Sequence, residues 1–372
     1  MNRAALPSRL ARVREAMRAA DVDALLLSLG ADLPWLSGYV AMPLERLTML
    51  VVPAYGERAV LVVPTLEAPR VVPVPDVFEV KPWGETEDPV EIVSGLVGKL
   101  APSAPVLGIS DRAWSSALLK LQASLPQADW VAASGVTAPL RAVKDAWELE
   151  ALARASAAAD RVAAALIAGE VKLIGRTEQD VSAELARRLH AEGHERVEFA
   201  IVGSGPNSAS PHHEPGARKI GPGEAVVCDF GGSVDGYCSD ITRTVFTGPP
   251  PRRLERIYTV VAEAQAAGVR AVRPGVPCSD VDAAARDVIT DAGFGEHFIH
   301  RTGHGIGIEG HEDPYIVSNN SLPLSPGHVF SVEPGVYVPG HYGVRIEDIV
   351  AATEDGPSVL NQASRALTVV DV

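Results

Sequence analysis

The sequence predicts an α/β domain over residues 1–135, followed by an α+β domain over residues 136–372 that is built from two related halves. Three observations carry that expectation. Short, uninterrupted apolar runs alternate with helical spacing in the first third of the chain. Two helical segments in the remainder align without gaps at an offset of 100 residues. Two Pro-Gly turns, at an offset of 104, each feed a strand-type run that ends in an acid.

In chain order, Leu10, Val13 and Met17 fall at helical spacing within residues 8–20, and the run Ala24 to Leu29 reads as a buried strand. Apolar runs at Met49 to Val52 and Ala59 to Val63, bounded by Pro and Gly, predict further strands of a modest sheet. A Pro-rich stretch runs from Pro64 to Pro89. Val106 to Ile109 then predicts a strand and residues 112–124 a helix. The pattern loosens around Ala132 to Pro139, which puts the domain boundary near residue 135. An Ala-rich helix from about Trp147 to Ala168 opens the second domain and stops at Gly169, where left-handed backbone is wanted.

The repeat follows. TEQDVSAELARRLHAEG, from Thr177 to Gly193, aligns on PCSDVDAAARDVITDAG, from Pro277 to Gly293. PGEAVVCDFGG begins at Pro222 and PGHVFSVEPGV at Pro326, and the acids that end these runs are Asp229 and Glu333. Two halves of this kind imply a pseudo-twofold axis with the acids meeting at its centre. Asp229 and Asp240 have their midpoint between Val234 and Asp235, beside Gly236, as expected of a hairpin. Glu333 and Glu347 have theirs at Gly340, in the turn-like PGHYG.

Four carboxylates at one centre cannot all ionise cheaply in a folded interior, so a cation is needed. Two divalent ions would balance the four charges, and carboxylates bridge such ions in two-metal hydrolytic sites. The glycine-rich segment HRTGHGIGIEGHEDP offers His300, His304 and His311. His304 and His311 lie an odd number of residues apart. On a regular strand they would point to opposite faces, leaving one imidazole as ligand. An oxygen-rich set with one imidazole favours Mn, Co, Fe or Zn over a thiolate-type structural zinc site.

In the contexts VVCDFGG, YCSDITRT, RTGHGIG, SVEPGVY and VRIED, the residues Asp229, Asp240, His304, Glu333 and Glu347 resemble the ligands of the pita-bread metallopeptidases: aminopeptidase P, prolidase and methionine aminopeptidase. The match covers about residues 145–372, and the preceding segment is similar to the N-terminal domain shared by aminopeptidase P, prolidase and creatinase. Creatinase lacks these ligands, so their presence argues against its chemistry. The resemblance implies a curved antiparallel sheet flanked by paired helices. It implies that Asp229 and Asp240 bind one metal, that His304 and Glu333 help bind the other, and that Asp240 and Glu347 bridge them. Glu333 would also be the general base. The resemblance places His212 and His311 at the reacting carbonyl and implies a homodimer. Arg345 shares a strand face with Glu347 and would hold a ligand carboxylate or the substrate. Mn or Co stands ahead of Zn.

Dipeptide-cleaving prolidases carry arginine in the pattern His-Glu-x-Pro-Arg, suited to a free C-terminal carboxylate. This chain has HEDPY, with Tyr315 in that place. Tyrosine cannot make a bidentate charged pair. The expectation is therefore an aminopeptidase of short peptides that prefers Xaa-Pro bonds. Xaa-Pro dipeptidase is the alternative, ahead of a broad or Met-releasing aminopeptidase and of a non-catalytic peptide binder.

Composition sets the outer limits. The 372 residues carry 47 Asp plus Glu and 33 Lys plus Arg, a net charge of -14. That balance disfavours nucleic acid and anionic membrane as partners. Three cysteines (Cys228, Cys238 and Cys278) do not make a disulfide framework and read as packing residues in a reducing compartment. With no apolar stretch of signal-peptide character, a cytoplasmic location is expected. His190, His194, His297, His300, His328 and His341 read as surface or core residues, and His213 is open to either reading.

Overall fold

Four consecutive apolar residues, Ala24–Leu27, form the strand on which the first unit is built, and all four are buried. It pairs antiparallel with Met49–Pro53 and parallel with Val106–Ile109. Burial on both faces is what an uninterrupted apolar run requires. The complete six-stranded sheet adds Ala59–Pro64 and Phe78–Trp83 on one side and Asp129–Ala132 on the other. The structure is a computed structural model and describes residues 2–56 and 58–370; the expected domain ends at residues 1 and 372 lie outside the described residues.

The chain forms two compact units, Met1–Arg141 and Ala142–Val372. The stretch in which the sequence pattern loosens holds the strand Asp129–Ala132 and the helix Ser134–Ala142, with Pro139 inside it. Trp130, Val131 and Ala132 are apolar, but the strand is a four-residue, mostly exposed edge, too short to show a period. The Pro-rich stretch conceals the strand Phe78–Trp83, and a helix, Pro89–Leu100, begins at its end. Asp88 caps that helix by accepting from the Val90 N–H, and Pro89 occupies the first turn, where no N–H is needed.

The second unit opens on the helix Ala146–Ile167. A reciprocal capping box between Asp145 and Glu148 starts it. Gly169, at φ +73°, ends it: its N–H donates to Leu166 O, and the next N–H, of Glu170, donates to Ala165 O, which together satisfy two orphan carbonyls. The two repeat segments are the helices Glu178–Ala191 and Cys278–Asp291. Both end in that same motif, at Gly193 (φ +104°) and Gly293 (φ +85°). Gly193 bonds to His190 O and His194 to Leu189 O; Gly293 bonds to Thr290 O and Phe294 to Ile289 O. The repeat thus extends to the hydrogen bonds of the cap.

Each helix leads into antiparallel sheet. In the first half Ala225–Val234 pairs with Arg196–Ser204 on one side and with Tyr237–Cys238 and Ile241–Phe246 on the other. In the second half the order is Glu312–Ile316, Gly303–Gly305, Val329–Val332, Asp348–Thr353, Gly356–Val359, with a separate hairpin of Gly335–Val338 and Tyr342–Arg345. One apolar cluster spans both halves, joining Phe246 to Val336, Val344 and Ile346.

The first hairpin turns one residue later than its expected midpoint. Asp235 and Gly236 both have positive φ, 53° and 77°, between the paired Val234 and Tyr237, which is the two-residue turn that matches strand twist. Asp229 therefore faces Thr242, and Asp240 falls opposite Gly231. The register differs from the expected one by two residues, and an even shift keeps both acids on one face. The second hairpin centres on Gly340, as expected: Gly335 pairs with Arg345 and Val332 with Asp348, which leaves Glu333 opposite Glu347 in the gap between two ladders.

Gly231 leaves room for the Asp240 segment, because a Cβ there would lie 2.1 Å from the carbonyl oxygen of Ser239. Gly231→Ala is expected to cost about 3 kcal/mol and to lower the melting temperature by about 6–12 °C. A thermal melt unchanged within about 2 °C would show that the hairpin has slack.

Candidate metal centre

Three of the four acids, Asp240, Glu333 and Glu347, sit at gaps in the strand ladders. Glu333 and Glu347 lie outside the hairpin pairing, and their backbone N–H groups donate instead to Thr302 O (2.8 Å) and Thr242 O (3.2 Å). Thr242 belongs to the first half, so this bond ties the two halves at the site. Its hydroxyl also donates to Glu347 Oε2 (2.6 Å). Asp240 occupies the break between Tyr237–Cys238 and Ile241–Phe246, and Asp229 lies within Ala225–Val234.

The structure brings all five candidate ligands together. Three overlapping groups have their ligand atoms within 4.8 Å of one another: Asp229 with Asp240 and Glu347, His304 with Glu333 and Glu347, and Asp240 with His304 and His311. His304 Nε2 lies 3.3 Å from Glu333 Oε1 and 3.7 Å from Asp240 Oδ2. Its Nδ1 is 3.1 Å from Gly305 O, so Nδ1–H donates to that carbonyl and Nε2 keeps its lone pair toward the acids. Burial lowers the His304 pKa to about 3, which holds the ring neutral, as a ligand must be.

These acids line a cavity of about 690 Å3, and His212, His311 and Arg345 line it with them. Tyr315, expected at the substrate, does not. It sits on the strand Glu312–Ile316, and its ring lies under the guanidinium of Arg301, 4.4 Å from the ring centroid. The expectation that His304 and His311 point to opposite faces does not hold. The register is irregular at His304 and the segment Ile306–His311 is not a strand, so the two rings come within 3.8 Å, centroid to centroid.

Arg345 is buried, and its donors are engaged by protein. They reach Asp229 Oδ2, the Tyr337 hydroxyl (2.9 Å), Thr242 Oγ1 (3.1 Å) and Pro211 O (3.3 Å). Of its two expected partners, then, it contacts a carboxylate of the cluster.

Three carboxylate oxygens, Asp229 Oδ1, Asp240 Oδ1 and Glu347 Oε1, are buried and accept no hydrogen bond. Buried oxygens of this kind need a positive partner, and no proton donor is placed for them. Oxygen atoms and one bare imidazole nitrogen suit a divalent cation. The thiols do not contribute: burial and the neighbouring Asp229 push Cys228 up to about 12, and Cys238 is buried with its Sγ 3.4 Å from Ile308 O.

The comparisons with known proteins agree with this donor set. The model of metallopeptidase family M24 matches residues 150–354, and that of the creatinase/prolidase N-terminal domain matches residues 9–143. The chain belongs to metallopeptidase family M24. A probable dipeptidase PepE of Mycobacterium bovis is 44% identical over 98% of this chain and 96% of its own length. The crystal structure of dipeptidase PepE from Mycobacterium ulcerans superposes with a TM-score of 0.90 at 43% identity, and that of a prolidase from Thermococcus sibiricus with 0.92 at 36%, each covering 99% of both chains. The expected pita-bread fold and peptidase class follow, and the family implies divalent metals at this cluster.

Around the ligands, this M24 peptidase carries residues outside the expected set. His300, expected to be a surface or core residue, lines the cavity. Its Nδ1 lies 2.7 Å from Arg301 O and its Nε2 2.9 Å from the Tyr337 hydroxyl. Because Arg345 donates to that hydroxyl, Tyr337 donates onward to His300. His213 reaches Glu178, which is fully buried and also accepts from Ser204 and Asn207, and the cluster anchors the loop that carries His212. Phe199, Ile201 and Ile299 form an apolar part of the cavity lining.

Electrostatics set the state of the acids without a cation. Burial, with Glu347 and Asp229 beside it, raises Asp240 well above its usual range. Burial does the same to Glu347, with Glu333 as its nearest contributor, and it takes Glu333 to about 7. The metal-free fold thus holds protons that the unfolded chain has already released. Stability from these protons is complete below the unfolded values of about 4 and is lost as the pH climbs through about 7 for Glu333. Metal-stripped protein is therefore expected to melt lower at pH 8 than at pH 5. Mn2+ held at one concentration, about 100 times its Kd at pH 8, should raise the melting temperature by about 5–10 °C at pH 8, and by less at pH 5, where protons compete for the acids. A gain independent of pH would contradict the picture of crowded acids.

Proposed function

We propose that this M24 peptidase is an Xaa-Pro dipeptidase that works with two divalent ions, Mn or Co ahead of Zn. The observation that carries the reading is the near-full-length similarity to proteins described as dipeptidase and prolidase. It favours the dipeptidase side of the range that the sequence leaves open. The aminopeptidase reading keeps one observation in its favour, Tyr315 in place of the arginine of dipeptide-cleaving relatives.

Asp229, Asp240 and Glu347 would hold one ion and His304, Glu333 and Glu347 the other, in line with the two groups that share Glu347. Bound there, the ions would supply Lewis acidity toward the scissile carbonyl. The chain's own groups do the rest. Glu333 lines the cavity, takes the proton of the attacking water and returns it to the leaving amine. Ser331 Oγ donates to its Oε1 (3.1 Å) and fixes its orientation. His311 accepts from Arg301 at Nδ1 (3.3 Å), so its proton sits on Nε2, where it can donate to the developing oxyanion. His212 lines the same cavity and serves the carbonyl from the other half of the repeat. Phe199, Ile201 and Ile299 favour an apolar side chain on the substrate.

A cytoplasmic homodimer, as expected from the sequence, is part of this proposal. Among the described residues no helix is long and apolar enough to cross a membrane.

With Mn2+, Co2+ or Zn2+ supplied, Xaa-Pro dipeptides should be cleaved with a kcat/KM at least about tenfold above that for Xaa-Pro-Xaa tripeptides. The reverse order would restore the aminopeptidase reading, and no turnover with any of the three metals would favour a non-catalytic binder. Glu333→Gln is expected to lower kcat by about 10^2–10^4-fold. Undiminished turnover would remove Glu333 from the role of base.

A further inference from the structure

Any dipeptide entering this cavity brings a free carboxylate into a site whose four acids the two proposed ions would balance without surplus. The carboxylate therefore needs a cation of its own. Arg345 is poorly placed to serve: it is buried, and its guanidinium already bonds Asp229, Tyr337, Thr242 and Pro211. Tyr315, at the position where dipeptide-cleaving relatives carry arginine, is neutral and lies outside the cavity lining.

Arg301 is different. It lines the cavity beside Glu333, His304 and His311, and it is only partly buried. Its guanidinium lies over the Tyr315 ring at 4.4 Å, and one N–H donates to His311 Nδ1 at 3.3 Å. Among the described residues it forms no ion pair. A guanidinium has five N–H donors in a planar fork, and the bond to His311 uses one. The aromatic face beneath holds the plane of the fork, and the imidazole fixes its rotation about that plane. What remains is a pre-oriented, positively charged fork that no carboxylate of the described residues bonds, although it acts on Glu333 at longer range. A carboxylate is the complementary group, because it can accept two parallel bonds from one fork.

We infer that Arg301, seated on Tyr315, is the specificity residue that receives the C-terminal carboxylate of a dipeptide substrate. It does from position 301 what the arginine of the His-Glu-x-Pro-Arg pattern does from the position of Tyr315. Tyr315 then has a role of its own, as the neutral platform on which the guanidinium lies; a second arginine there would meet the first with like charge. The inference rests on the dipeptidase reading.

The test compares Leu-Pro with Leu-Pro-amide, which lacks the carboxylate, and with Leu-Pro-Gly, using the Mn2+-loaded full chain. The unaltered protein should prefer the free acid to the amide by about 10–100-fold in kcat/KM, the scale of charge-assisted hydrogen bonds. In Arg301→Ala that ratio should fall at least about tenfold, with the loss in KM for the acid, and Arg301→Lys should keep part of the preference. A lost melting transition would identify an unfolded Arg301→Ala, and Arg301→Lys then carries the comparison. If the acid preference survives in the variants, or if acid and amide lose activity equally, Arg301 is not the carboxylate receptor, and the dipeptidase reading stands. If the unaltered protein prefers Leu-Pro-Gly to Leu-Pro, it is the dipeptidase reading that fails.

Discussion

Mutual repulsion among buried carboxylates is the constraint around which the second unit is organised. Asp229, Asp240, Glu333 and Glu347 share one cavity, and among the described residues Arg345 is the arginine or lysine paired with them, bonded to Asp229 and 4.0 Å from Glu333. His304 is held neutral. Three carboxylate oxygens are buried without a proton donor. Such an arrangement persists in a folded chain only by retaining protons or by binding cations. Near neutral pH the second course leaves the acids ionised, and ionised acids are what metal chemistry requires.

The fold divides that burden between two halves. Each helix of the repeat ends in the same glycine motif and leads into a sheet whose hairpin presents two acids. The seam between the halves is fastened at the acids themselves, by Thr242 O to the Glu347 N–H and by the Thr242 hydroxyl to Glu347 Oε2. Nearby, Arg243 donates to Glu347 O and pairs with the buried Asp348. The hairpin ladders are interrupted at Asp240, Glu333 and Glu347, where carboxylates turn inward. The backbone groups freed by the interruption find partners on neighbouring segments, so the site adds no unpaired backbone N–H at Glu333 or Glu347.

How far the sequence could be read depended on whether position along the chain determined position in space. The acids were legible because strand pairing converts a midpoint into a facing pair. For Glu333 and Glu347 the midpoint is the turn itself, and for Asp229 and Asp240 an even shift of register preserved the face. The repeat helices were legible through their period and their terminal glycines. The histidines were less so: the parity argument for His304 and His311 assumed a strand where the chain forms an irregular turn. His300 and Tyr337 are linked by a side-chain bond between residues 37 apart in sequence, which no local pattern encodes. Arg301 had a weak signal as the lone arginine between His300 and His311, but its seat on Tyr315 comes from the pairing of Gly303–Gly305 with Glu312–Ile316. In the first unit, the strand Asp129–Ala132 escaped notice although Trp130, Val131 and Ala132 are apolar, because four residues on an exposed edge show no period.

How many cations the carboxylates take up decides between these two courses. Metal-stripped protein titrated calorimetrically with Mn2+ at pH 8, with bound manganese counted by elemental analysis after desalting, answers this directly. Two ions per chain are predicted, because Glu347 is common to two ligand groups and four acid charges require two divalent ions. Uptake of one ion or none by a folded chain would contradict it, since the remaining acids would then have to be kept by protons alone.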